Sequence, residues 1–329
     1  MLELKLFGKG EARYNGSPLP GFPQQQPHLL LCYLLLHRSR PHSREQLAAL
    51  FWGEYPTRVS RKYLSNALWR VRHFLQAVGA PADEYLQVDA ESVSFSPVGR
   101  YTLDTEAFET VTTRYQGTQG RELTVEEAAH LQQAVELYGG DLLSGIYEDW
   151  CLYERERLNI LYLNTLSKLM IFHEFNGTYE EGLDYGRRIL AYDNTRERVH
   201  RRMMRLYWQV GDRGAALAQY QLCAQLLRET LGVAPLEETT LLYQQMKYGQ
   251  FEPGIWASYK GASPPARTDR SASVPILAEQ TLRRLHQLQA TMDQVNAELR
   301  QIERQLIEVL AGTWNLHSSV APRDDIDDA

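Results

Sequence analysis

The sequence predicts a mainly α chain: a small α+β module at the N-terminus, an all-α body of helical repeats, and a C-terminal heptad helix. Three observations predict it. The stretch Thr57–Gln76, TRVSRKYLSNALWRVRHFLQ, is amphipathic at helical spacing and holds no Asp or Glu. Two glycine-led blocks begin at Gly177 and Gly211, a repeat period of 34 residues. Leu285, Leu288, Met292, Val295, Leu299, Ile302, Leu306 and Val309 recur at alternating steps of three and four.

Composition narrows the class. The 329 residues are 43% hydrophobic and 23% charged, so ordinary cores can be buried. The formal charge is -6, yet residues 1–100 carry 12 Lys or Arg against 8 Asp or Glu. A basic N-terminal module on an acidic body fits a nucleic-acid reader joined to a protein-contacting part. Cys32, Cys151 and Cys223 lie far apart without a metal-ligand pattern and read as buried thiols. No signal peptide or apolar run of membrane-spanning length is read, so a cytoplasmic protein with no membrane contact is expected.

The first module is expected over residues 1–104. Leu2, Leu4 and Leu6 alternate with polar residues as a strand, and Glu11–Tyr14 forms a second before the Asn15-Gly16 turn. The Leu-dense run of residues 29–36 is too continuous for a surface helix and reads as a buried one. Ser43-x-x-Gln46 is a capping-box pattern opening a second helix that stops at Gly53. The loop through Pro56 then leads into the acid-free helix.

That helix has two faces. Leu64, Leu68, Val71 and Leu75 form an apolar stripe, while Arg58, Lys62, Ser65, Asn66, Trp69 and His73 fall opposite. Arg61 and Arg72 lie on one flank and Arg70 on the other. Arg and Lys neutralise phosphates, and Asn, Ser and Arg hydrogen-bond base edges, so these nine residues are the expected DNA-binding set. An ordinary solvated face would mix charge signs. Trp69 fits either stacking on a sugar or thymine methyl, or packing against the second domain. Residues 85–88 and 93–95 read as a hairpin around residues 89–92, which makes the module a winged helix-turn-helix.

The order LELKLFG, RPHSREQLAALFWGEYP, YLSNALWRVRHFL resembles the winged-helix domain of SARP-type bacterial transcriptional activators, close to response-regulator effector domains. The resemblance implies that the third helix enters the major groove and that the loop before it, residues 53–58, touches RNA polymerase. Wings of this superfamily are often basic. Here the turn carries Asp89 and Glu91, so close DNA contact by it is not expected.

The body is expected over residues 105–252. Thr124 and Glu127 form a second capping pattern, with the helix ending at Gly139-Gly140, and a long helix runs from near Trp150 to Phe175. In the repeated blocks a turn glycine precedes a small residue, Gly182 or Ala216, that lets two helices approach, with Leu183 or Leu217 following. With their flanking helices these blocks make a short TPR-like solenoid of three helix pairs. Tyr162, Tyr207 and Tyr220 read as core, and Glu154–Arg157 as a solvated mixed face. YGGDLLSGIYEDWCLYERERL and LRETLGVAPLEETTLLYQQM resemble the bacterial transcriptional activator domain, a TPR-type module that accompanies such winged helices.

Residues 253–275 read as a flexible linker, 276–312 as a coiled-coil helix and 313–329 as an acidic disordered tail. The narrow seam favours self-association, as a homodimer or higher oligomer, over a helix folded back on the body. A like-charge contact of Glu298 with a partner's Glu303 opposes a parallel register. No Walker-type, GxGxxG, HExxH or GxSxG motif occurs, so no enzyme and no cofactor is expected. The expected function is a sequence-specific transcriptional regulator, an activator that binds promoter DNA. The alternatives are a TPR-type scaffold without DNA binding, or control by a small-molecule effector whose residues the sequence does not name.

Overall fold

A computed structural model describes residues 1–95 and 98–251. The linker, coiled-coil helix and tail expected beyond residue 252 lie outside the described residues.

The chain opens with β1 (Leu2–Lys5), β2 (Glu11–Tyr14) and β3 (Ser17–Pro18) as an antiparallel meander. Asn15 and Gly16 turn β2 into β3 with φ of 47° and 83°, the positive values that Asn-Gly tolerates. Leu2, Leu4 and Leu6 point inward and are buried. α1 (Gln26–Leu36) follows. It has no apolar stripe because it is covered on every side, and nine of its residues are buried.

β4 (His42–Ser43) leads into α2 (Arg44–Trp52), where the Ser43 hydroxyl accepts the Glu45 N–H at 3.2 Å. The cap is therefore made to the second helical residue; no bond from Gln46 completes the expected box. α3 (Thr57–Ala77) packs on α1 and α2 through Leu64, Leu68, Val71 and Leu75, all buried as the stripe requires. After a 3-10 turn at Ala82–Glu84 come β5 (Leu86–Val88) and β6 (Ser92–Phe95), the expected hairpin, with β6 also pairing with β4.

β7 (Tyr101–Leu103), which was not expected, runs parallel to β1 and closes the first sheet in the order β3-β2-β1-β7. α4 (Asp104–Arg114) begins at the next residue. The Asp104 carboxylate accepts the N–H groups of Leu6 and Phe7 at 2.9 and 3.0 Å. The N-terminal sheet is thus tied directly to the start of the helical body.

The body contains α5 (Val125–Leu137), α6 (Asp149–Asn176), α7 (Tyr179–Tyr192), α8 (Glu197–Val210), α9 (Arg213–Leu231) and α10 (Glu237–Lys247). Each packs on its sequence neighbour, as a solenoid does. α6, α8 and α9 end at Gly177, Gly211 and Gly232, each left-handed, so the repeat glycines are helix caps. Gly182 lies against Leu206, and Ala216 is fully buried, at the close approaches the repeat implies.

One hydrophobic core runs from Leu2 to Leu206, and no gap marks residue 104. Trp150 of α6 packs edge-on against Tyr33 of α1 and beside Phe51 of α2. In the segment 154–157 only Glu156 is exposed, as the expected solvated face would be. Glu154 is buried, Arg157 pairs with Glu154 and Glu109, and Arg155 donates to the carbonyls of Leu142, Leu143 and Ile146. Alternating charges resemble a solvent face in sequence, but here Arg155 ties α6 to the loop beside β1 and Arg157 ties it to α4.

Candidate nucleic-acid interface

α3 is held along its apolar stripe, which leaves its other side outward. Arg58, Arg61, Lys62, Ser65, Asn66, Trp69, Arg70 and His73 are all exposed, and Arg72 is half-buried. Arg58, Lys62, Asn66 and Arg70 make no hydrogen bond or ion pair among the described residues.

The remaining members are engaged within the protein. Arg61 pairs with Glu45 of α2, both side chains well exposed. Ser65 accepts a bond from Arg44 at 3.0 Å and donates to the Arg61 carbonyl at 2.9 Å. Arg72 lies 3.4 Å from Asp83, and its Nε is buried without a partner, so this guanidinium turns toward the 3-10 segment. Trp69 is 64% exposed and stacks on the His73 ring, 5.2 Å between centroids and 4° from parallel. It does not pack beneath the helical body, the second of the two placements its sequence allowed.

Two hollows flank the helix. One of about 500 Å³ lies between α2, α3 and the β5–β6 turn, bordered by Arg44, Arg61, Ser65 and Glu91. The other, about 380 Å³, lies between α1 and α3, bordered by Trp52, Tyr63, Asn66, Trp69 and Arg70. Sequence reasoning missed Arg44. Its place at the second-helix N-terminus was visible, but the fold alone brings it beside Ser65. Ser60 was also missed: its buried hydroxyl donates to the Trp52 carbonyl at 2.8 Å and ties the α2–α3 loop to α3. In the β5–β6 turn, Arg44 N–H donates to the Glu91 carbonyl at 2.9 Å, which fixes the acidic turn beside α2.

Residues 103–247 match the family model of the bacterial transcriptional activator domain. The match covers 145 of the chain's 329 residues. Regulatory protein AfsR of Streptomyces coelicolor is 25% identical over 313 residues, 94% of this chain and 29% of the relative. AfsR of Streptomyces griseus is 25% identical over 240 residues, 71% of this chain and 23% of the relative. The chain therefore spans less than a third of the length of these curated relatives. Mycobacterium tuberculosis EmbR, solved in complex with a low-affinity phosphopeptide, superposes with a TM-score of 0.63 at 18% identity. That match covers 76% of this chain and 66% of EmbR, and shows a shared fold. The resemblance to SARP-type activators drawn from the sequence holds.

Elsewhere among the described residues the reactive groups are subdued. Burial raises the thiols of Cys151 and Cys223 to about 11, and lifts that of Cys32 well above its ordinary value. They are protonated and poor nucleophiles at neutral pH. Among the described residues no group of three or more His, Cys, Asp or Glu side chains is placed to hold a metal ion, and no helix is long and apolar enough to cross a membrane.

Proposed function

We propose that this chain is a sequence-specific DNA-binding transcriptional regulator, an activator acting in the cytoplasm, with α3 as its reading helix. One observation carries the reading: Arg58, Lys62, Asn66 and Arg70 stand on an exposed, acid-free helix face with no hydrogen-bond or ion-pair partner among the described residues. Unpartnered cations on such a face suit phosphates, and an unpartnered amide suits the edge of adenine.

In this reading Arg58, Arg61 and Arg70 hold phosphates, while Lys62, Asn66 and His73 read bases, with Arg70 suited to either. Ser65 and Arg72 support the helix from within, Ser65 by orienting Arg44. Trp69 and His73, already stacked, offer a flat surface to a sugar or thymine methyl. The loop ahead of α3 presents exposed Glu54 and Tyr55 and is assigned to RNA polymerase. Self-association is assigned to residues 276–312. The domain division at residues 104 and 252 is retained as a division of labour.

The test is binding of promoter-derived duplexes over a range of salt. Log affinity should fall linearly with log salt, at a slope of roughly -0.9 per phosphate contacted. Binding that ignores salt, or that survives Arg58→Ala with Lys62→Ala, would favour a protein scaffold instead.

A further inference from the structure

The α8 segment, ERVHRRMMRLYWQV, carries a second arginine-rich face. Val199, Met203 and Leu206 are buried on its core side. Arg198, Arg201, Arg202 and Arg205 follow steps of three and four and share one side of the helix. That side meets α6 and α10. Arg202 pairs with Glu174 of α6, whereas Arg201 lies 3.1 Å from Glu238 and donates to Thr239 of α10 at 3.1 Å.

These two carboxylates account for two of the four guanidiniums. Arg205, one turn beyond them, is half-buried and makes no hydrogen bond or ion pair among the described residues. Burial weakens its hold on its proton; Glu174 opposes this, Arg202 and Arg201 add to it, and Glu238 opposes it more weakly. A guanidinium stays charged at neutral pH regardless, so a partly desolvated one with no ion pair among the described residues suits an anion. Arg198, two turns away, is exposed and likewise unpaired. With Arg202 it borders a groove of about 410 Å³ toward α6, where Asn164 and Ser167 supply polar walls, Met170 and Ile171 an apolar floor, and Glu197, which accepts the Leu236 N–H, an acidic edge.

We propose that the arginine face of α8, between α6 and α10, docks an acidic peptide segment of a partner protein, with Arg205 and Arg198 each receiving a carboxylate. The two residues are seven apart, roughly 10 Å along the helix. An extended peptide rising about 3.1–3.4 Å per residue places acids three residues apart at the same separation. Forked guanidiniums bind carboxylates in pairs of parallel bonds, which suits this geometry. Glu174 and Glu238 border the face and repel an unbroken phosphate backbone, whereas a peptide with spaced acids can set apolar residues against them. The surface is separate from α3 and does not depend on the DNA-binding reading.

The probe is a fluorescent 12-residue peptide with Asp or Glu at every third position and Ala, Leu or Pro between. Its control is the same peptide with Asn or Gln replacing each acid. Both are titrated into the full chain by anisotropy. The acidic peptide should bind and the amide peptide should not. Arg205→Gln and Arg198→Gln should each weaken binding by roughly tenfold, and Arg205→Lys should restore part of it. Arg58→Ala with Lys62→Ala should leave it unchanged.

Arg205→Gln should not lower the melting temperature, since no bond is lost; a purely structural arginine would lower it. Equal binding of both peptides, full binding by the Arg205→Gln chain, or loss of binding in the α3 variant would each overturn the proposal. Displacement of the probe from the α3 variant by duplex DNA would assign the face to nucleic acid and overturn it as well. Tighter binding after Asp324, Asp325, Asp327 and Asp328 are changed to Asn would put the chain's own end in the groove, and a partner protein would then be the wrong occupant.

Discussion

On α3, side chains of the same type differ in what they are free to do. Asn66 has no hydrogen-bond partner among the described residues, so its amide is available to a base edge. Arg61 already holds Glu45, but both side chains are open to water, and such exposed pairs contribute little. A phosphate can displace that carboxylate with small loss. Asn66→Ala should therefore relax specificity at one base position, costing about 1–3 kcal/mol of discrimination there. Arg61→Ala should weaken binding to all sequences alike. Competition binding against a panel of single-base variants checks both, and uniform losses from both substitutions would refute the division. Arg72 shows the limit of helical-wheel reasoning. It shares a flank with Arg61, but Asp83, from the segment after the helix, draws it aside.

Among the elements, the body is held by close approaches and by caps. Gly120 sits in a 3-10 turn (Gly120–Glu122) laid on α6. A Cβ there would stand 2.4 Å from the Lys168 carbonyl oxygen and 2.7 Å from Ile171 Cβ. Neither can swing aside, so Gly120→Ala should destabilise the fold by about 1–3 kcal/mol through overpacking. A lower denaturation midpoint at unchanged slope would confirm it. At the start of α5 the box is complete: Thr124 Oγ1 accepts Glu127 N–H at 3.2 Å, and Glu127 accepts Thr124 N–H at 2.9 Å. Thr124→Ala should cost about 1 kcal/mol in the same measurement. This box was legible because both partners lie within one turn of helix. The Gly120 contact was not, because its partners lie some fifty residues away in sequence.

For the whole molecule, buried histidines set the response to acid. His200 is fully buried and has both ring nitrogens engaged: Nε2 lies 2.8 Å from the Asn194 carbonyl, and Nδ1 2.6 Å from the Gln219 amide nitrogen. The ring donates to the first and accepts from the second, which requires the neutral form. Burial lowers His200 below its ordinary 6.5, and does the same to His28, His37 and His173. The unfolded chain takes up these protons near 6.5 and the folded chain resists, so stability is full above that value and falls as pH drops below it. Asp104 acts oppositely. Burial raises its carboxyl above the ordinary 3.8, so its ionisation removes stability as pH rises through that lower range. Four histidines outweigh one carboxylate in the range from about pH 7 to about pH 5, where the melting temperature should fall. His200→Gln should make that fall shallower, and an identical slope would refute the assignment.

Local regularities in the sequence determined the elements: the α3 stripe, the Thr124 box, the Asn15-Gly16 turn and the repeat glycines. Each depends on residues within a turn or two, where helix and strand geometry fix the neighbours in advance. Only the tertiary structure decided which charges were already spoken for. It tied Arg157 to Glu109, set Asp83 on Arg72 and Arg44 on Ser65, ran β7 alongside β1, and left Arg205 with no ion pair among the described residues. Those outcomes depend on distances between segments remote in sequence, and a charged side chain looks the same in a sequence whether its partner is water, a buried carboxylate or nothing.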